Sequence, residues 1–326
     1  MKSPCSVASL LILSVLSVSA ASQPDSPLDA VRETFINGAV DAAIRSLKTS
    51  IAGDPSSPDA HNLLCRVLYS EERWDAAIAE CERAVALNPK SSIFQLWLGR
   101  AYGEKADHSG WFTAIGLAKK THNCFEKAVD LDSRNVEARS DLSEYYIEAP
   151  GFLGGGIDKA VAQANAVEKI EPATAFYIRA RIAEHDKHNG DAEQEYKKAL
   201  QLNTNSARRL VDLASFYRRV NRFDDLESAI QKSVELNTQN DSSLVDSAAL
   251  LLRVNRNLPL AASLLHRYID QGTKSEDAPV FQAQHLLGQI LEKQGNVQGA
   301  KQAYQAARNN ASDFAPAAAA LKRLGG

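Results

Sequence analysis

Methionine occurs once in this 326-residue chain, and aromatic residues make up only 7% of it. A core must therefore be built mainly from alanine and aliphatic side chains, which supply most of the 44% hydrophobic content. Small side chains in such number suit helices that pack at short range. Charge of one sign is also missing. The balance of 37 basic against 40 acidic residues gives a net charge of −3, which argues against bulk attraction to nucleic acid. No single-sign run marks a binding tail. The chain has no G-x-S-x-G elbow, no C-x-x-C pair and no dinucleotide fingerprint. Its carboxylates are scattered, with no pair singled out for acid–base work. No catalytic residue, cofactor or resident metal is expected. Gly154-Gly155-Gly156 lacks the Gly-Lys-Ser/Thr of a phosphate loop.

Long apolar runs are absent as well. Residues 7–18 (VASLLILSVLSV) form an apolar stretch preceded by Lys2 and followed by the small residues Ser19, Ala20, Ala21 and Ser22. That is the layout of a secretory signal peptide, and the stretch falls short of the roughly 20 residues that cross a bilayer. Residues 1–20 are read as the leader. The rest is expected to be exported, to a periplasm or the outside, without a membrane span. Cys5 leaves with the leader, so Cys65, Cys81 and Cys124 remain. An odd count allows one bridge or none.

What is abundant is repetition. Residues 58–89 read PDAHNLLCRVLYSEERWDAAIAECERAVALNP, and residues 281–312 read FQAQHLLGQILEKQGNVQGAKQAYQAARNNAS. Leu64-Cys65 aligns with Leu287-Gly288, Leu68 with Leu291, Ala77 with Ala300, Cys81 with Tyr304 and Ala84 with Ala307. The pattern of W-x2-L-G-x2-Y, then A-x3-F, then A and P, in a unit of about 34 residues, resembles the tetratricopeptide repeat (TPR) family. The resemblance implies an all-α, right-handed superhelical solenoid of antiparallel helix pairs. About eight units are read, near 24–57, 58–91, 92–135, 136–172, 173–206, 207–240, 242–275 and 281–314, with a capping helix over 315–326. Each unit leaves an apolar face that only a stacked neighbour can bury.

Two units break the period. Roughly ten residues enter the third, around 106–120 (ADHSGWFTAIGLAKK), and roughly five enter the fourth, at EAPGFLGGG. Both insertions are read as loops at the turn between paired helices. Pro150 ends a helix, and the glycines open turns closed to other residues. Trp111, Phe112, Phe152 and Leu153 are expected to meet on one edge, as a local mini-core or as a binding ledge. Similar proline–glycine insertions occur in bacterial exported repeat proteins that resemble this chain, and the resemblance implies no settled activity.

In the TPR family the first helices of successive units line the inner, concave face. The period places Asn62, Arg66, Arg100, Tyr177, Arg181, His185, Arg208, Arg218, Arg219, Arg253 and His285 there, with Glu144, Glu148 and Asp246. Arginine binds carboxylates through a rigid fork, so an acidic or carboxylate-terminated protein or peptide is one expectation. A solvated face with arginines answered by nearby glutamates is the other. The Lys/Asn combination of the family's carboxylate clamp is not found. His185 and His188 stand at i and i+3 without a clear third ligand. Cys65 and Cys81 face one another across the second unit. Helix axes usually lie 8–10 Å apart, too far for a disulfide, so two buried thiols are expected. The chain thus reads as a non-catalytic protein- or peptide-binding scaffold of the cell envelope. A structural subunit of a homo-oligomer or envelope assembly is the alternative, and a hydrolase or metal protein follows. Oligomeric state is left open.

Overall fold

Proline and small polar residues punctuate the helices as the repeat requires. A computed structural model describes residues 26–202 and 206–325, so the leader, Cys5 and the first residues of unit one lie outside it. Ser26, Ser57, Ser91, Asn135 and Asn296 each accept a hydrogen bond from the backbone N–H three residues on, satisfying a donor that the helix itself leaves free. Pro27, Pro58 and Pro172 stand at first helical positions, where no N–H is needed.

The described residues form seventeen α-helices and no strand. They pair as α1 Pro27–Ile36 with α2 Val40–Gly53, α3 Pro58–Ser70 with α4 Trp74–Leu87, and α5 Ser92–Asp107 with α6 Trp111–Leu131. Next come α7 Val136–Glu148 with α8 Ile157–Val167, α9 Pro172–His185 with α10 Asn189–Gln201, and α11 Ser206–Arg219 with α12 Phe223–Leu236. The last pairs are α13 Ser243–Val254 with α14 Leu258–Gln271 and α15 Val280–Lys293 with α16 Val297–Asn310, followed by α17 Ala315–Arg323. The all-α solenoid read from the sequence is the fold. Gly38, Glu72, Lys187, Asn221, Asn255 and Gly295 occupy the same place in six of the intra-unit turns, each with positive φ.

Small residues let paired helices cross closely. A Cβ on Gly288 would lie 2.5 Å from the Tyr304 ring, and one on Gly99 would lie 2.6 Å from Phe125. In unit two the equivalent pair is Cys65 and Cys81. Their Cα atoms are 5.3 Å apart and the sulfurs are bonded. The expectation of two thiols is therefore corrected. The general helix spacing does not apply at this crossing, which other units fill with glycine against an aromatic ring. Cys124 is free and buried.

The third-unit insertion is a second correction. It forms no loop. It lengthens α5 to 16 residues and α6 to 21, joined by a short turn. Only the fourth-unit insertion departs from helix, as a 3-10 turn over Gly151–Leu153.

The solenoid also closes on itself. Phe35, Val40 and Leu64 of the first units share one core with Phe281, Ala311, Phe314 and Ala317 of the last. Phe281 and Phe314 meet edge to face at 5.1 Å. Polar links cross the seam: Arg32–Glu276 at 2.6 Å, Arg73–Asp313 at 2.7 Å and Gln282 Nε2 to the Ser70 carbonyl at 2.8 Å. One side of α17 packs Ala320 and Leu321 on Tyr304, and its Ala317 enters the shared core.

Candidate functional site

Closure turns the inner face into the wall of a central cavity of about 540 Å³. Helices α1, α3, α5, α7, α11, α13 and α15 contribute, with the segment before α15. Two guanidinium groups lie over the Trp97 ring, Arg66 at 4.5 Å and Arg100 at 4.8 Å from its centre. Such stacking uses the negative face of the indole.

Most arginines expected on this face are already held by carboxylates. Arg66 pairs with Glu276 at 2.6 Å. Arg100 pairs with Asp141 at 2.6 Å and Glu137 at 3.2 Å. Arg181 takes Glu144 at 2.9 Å and Glu148 at 2.8 Å, Arg208 takes Asp246 at 2.7 Å, and Arg219 takes Glu184 at 2.6 Å. Burial raises the pKa of Asp141, and the adjacent Arg100 guanidinium opposes that rise. A sequence signal for this pairing existed. The partners stand 41, 37, 38 and 35 residues apart, about one unit, so neighbouring inner helices present opposite charges at matched heights.

Of the remaining expected residues, Asn62 is buried and Tyr177 packs edge-on against Tyr196 at 6.0 Å. His185 is exposed and lies 3.0 Å from Asp186. Arg218 and Arg253 differ from the other arginines. Among the described residues neither has a carboxylate at ion-pair distance. Burial lowers the pKa of Arg218, and the charges of Arg253 and Arg219 lower it further.

Arg253 opens onto a second cavity of about 790 Å³ between α13, α15, α16 and α17, lined also by His285, Lys293, Tyr304 and Arg323. Its one lining carboxylate, Glu292, is occupied by Tyr304 Oη at 2.9 Å and Arg323 at 2.6 Å. His285 sits against Tyr304 and Phe314, each at 5.2 Å, with Nδ1 buried and unpartnered. Burial, with the Arg323 charge, pushes its pKa down to about 4. It is therefore neutral near pH 7. This end of the inner face is cationic. Lys293 and Arg323 were not among the residues expected there.

The edge residues are also placed. Trp111 is 69% exposed and Phe112 89%, both in the first turn of α6, while Phe152 is 66% exposed on the 3-10 turn. Leu153 is half-buried. The turn rests on α6 at His122, against which Gly154 packs, and His122 stacks on Tyr145 at 5.0 Å. Eleven residues separate Trp111 from His122, roughly 16 Å of helix, and no ring pair joins Trp111 to Phe152 among the described residues. Three of the four face solvent, so they do not form a mini-core. The glycines have a local cause. Gly154 has φ +98°, and a Cβ on Gly155 would overlap the Ala149 carbonyl. Tyr145 Oη donates to the Leu153 carbonyl at 2.8 Å and Gly156 N–H to the Tyr146 carbonyl at 2.9 Å. The interruption is a tightly bonded turn.

Comparison with known proteins agrees with this architecture. Tetratricopeptide-repeat family models match residues 35–101 and 247–319. The crystal structure of yeast Tom70 is similar with a TM-score of 0.53 at 16% identity, over 93% of this chain and 66% of that one. The chain thus spans just under two thirds of that protein. A tetratricopeptide repeat protein from Parabacteroides merdae gives 0.45 at 12% identity, covering 92% of this chain and 97% of its own. A thermophilic TPR protein from Thermus thermophilus gives 0.42 at 22%, covering 64% and 100%. No curated protein matches the sequence. Matches at both ends, the recurring helix pair and its left-handed turn residue lead to one conclusion: the chain belongs to the tetratricopeptide repeat family.

Proposed function

We propose that this TPR chain is an exported, non-catalytic scaffold that receives an acidic protein segment at the C-terminal end of its inner face. TPR chains serve in general as protein-interaction scaffolds. One observation carries the acidic specificity: Arg218, Arg253 and Lys293 have no carboxylate partner among the described residues, whereas the arginines of the central cavity do. A carboxylate-bearing segment gains charge-assisted hydrogen bonds there without displacing an existing partner. Export is supported by the leader-like residues 1–20 and by the Cys65–Cys81 bridge, since disulfides persist in oxidising compartments. Calorimetric titration with a hexaglutamate peptide tests the reading. Arg218→Ala/Arg253→Ala should weaken binding by about tenfold or more, and added salt should weaken the wild type. Equal affinity in wild type and variant would refute it.

A second reading has its own observation. Trp111, Phe112 and Phe152 are exposed on ordered elements, and exposed aromatics on a rigid frame favour an interface. In the homo-oligomer version, sedimentation would reveal an assembly that Trp111→Ala/Phe152→Ala dissolves. A monomer at all concentrations would remove this version.

A further inference from the structure

The seam between the first and last units contains a carboxyl group with an unusual position. Glu71 caps the C-terminal end of α3, and its side chain has no exposed surface. Every charged group facing it bears on its state. Arg73, in the same turn, approaches at 3.3 Å. Asp41 comes from the first turn of α2, and Asp313 from the segment before α17. Glu71 Oε1 has no hydrogen-bond partner. All three of these groups also hold the seam together. Arg73 binds Asp313 at 2.7 Å, and Asp41 accepts the Ser312 N–H at 3.2 Å. Ser70 and Gln282, which bond across the same seam, line the central cavity.

We infer that Glu71 is a proton-operated latch on ring closure: neutral, it lets the first and last units meet, and ionised, it loosens the seam and widens access to the central cavity. The geometry sets the direction. An ionised Glu71 competes with Asp313 for Arg73, drawing that guanidinium from its cross-seam partner into its own turn. It also adds a third negative charge beside Asp41 and Asp313, with a single cation among them. Neutral Glu71 does neither.

Burial is the first cause of a pKa pushed up to about 7, with Arg73 opposing it. The closed ring therefore holds this proton more tightly than an opened one, in which water reaches the carboxyl. Closure is strongest below the ordinary carboxyl pKa. It weakens as pH rises from there to about 7, and levels off above. The closed-to-open ratio falls by at most about tenfold per pH unit in that window.

Hydrogen exchange on the full chain tests this. Seam amides in α1 and around Ser312 are compared with amides of α9 in the same sample, so the intrinsic pH dependence of exchange cancels. Relative seam protection should fall across the window in wild type and stay high and flat in Glu71→Gln. A flat wild-type ratio overturns the inference, as does a variant that keeps the wild-type slope. Should Glu71→Gln not fold, Asp313→Asn decides. Removing one repelling carboxylate and freeing Arg73 should move the midpoint to lower pH, and an unmoved midpoint overturns the latch.

Discussion

Reducing the Cys65–Cys81 bridge should cost the chain about 3 kcal/mol. The bonded residues are 16 apart. Closing a loop of that length in the unfolded chain removes conformational entropy equivalent to about 3 kcal/mol at room temperature. Both side chains are fully buried at the crossing of α3 and α4. Reduction leaves two thiols in place, so the packing loss is small and the loop term dominates. With a urea slope of about 3 kcal/mol per molar, the unfolding midpoint should fall by about 1 M on adding reductant. The assay is urea unfolding followed by circular dichroism, with alkylation and mass measurement confirming two newly freed thiols. Cys65→Ala/Cys81→Ala serves as control: less stable than the bridged chain, and indifferent to reductant. A wild-type midpoint that does not move, while two thiols are freed, would refute the reasoning.

Other outcomes follow from the same geometry. Gly155→Ala should destabilise by about 2 kcal/mol or more, because its methyl meets the Ala149 carbonyl, which cannot retreat without breaking the turn; equilibrium unfolding measures it. Gly99→Ala should cost about 1–3 kcal/mol by pressing on the Phe125 ring. Trp111→Ala/Phe152→Ala should change stability by no more than about 0.5 kcal/mol, since both side chains are mostly exposed; a larger loss would mean that they pack. His285 has its pKa held down to about 4 by burial, so the folded chain resists its protonation. Stability should fall as pH drops from the ordinary imidazole range toward about 4, and His285→Asn should flatten that limb of the unfolding curve.

The helix pairs were legible because their signals are local. Ala77, Ala84, Gly288 and Tyr304 mark the crossings, and Ser57 or Pro58 marks a start. The insertion around 106–120 was misread because a break in the period shows where residues are added, not whether they extend the flanking helices. Only one turn breaks there, and α6 carries Gly116 without interruption. The bridge was misread by applying a general helix spacing where the repeat's own close crossing governs. Of the residues read onto the inner face, Arg66, Arg100, Arg208 and Asp246 line the central cavity. The charge balance of that face was not legible, because Arg100 and Arg253 differ only in whether a carboxylate stands one unit away at the same height. Ring closure lay furthest from view. It depends on the rotation accumulated over every unit, and no local pattern records that sum.

Closure has a consequence for how the chain folds. An open solenoid is nearly one-dimensional, with ends that fray and contacts that stay near the diagonal. Here Arg32 meets Glu276, 244 residues on, and Ser312 meets Asp41, 271 residues back. Those contacts form only after the intervening units are stacked, because closing so long a loop earlier costs entropy with little return. Assembly should therefore end on a late, slow docking step between the first and last units. Once docked, each terminal unit has neighbours on both sides, so melting begins at the seam rather than at a free end, and a substitution at Phe281 or Phe314 is felt at both ends of the chain.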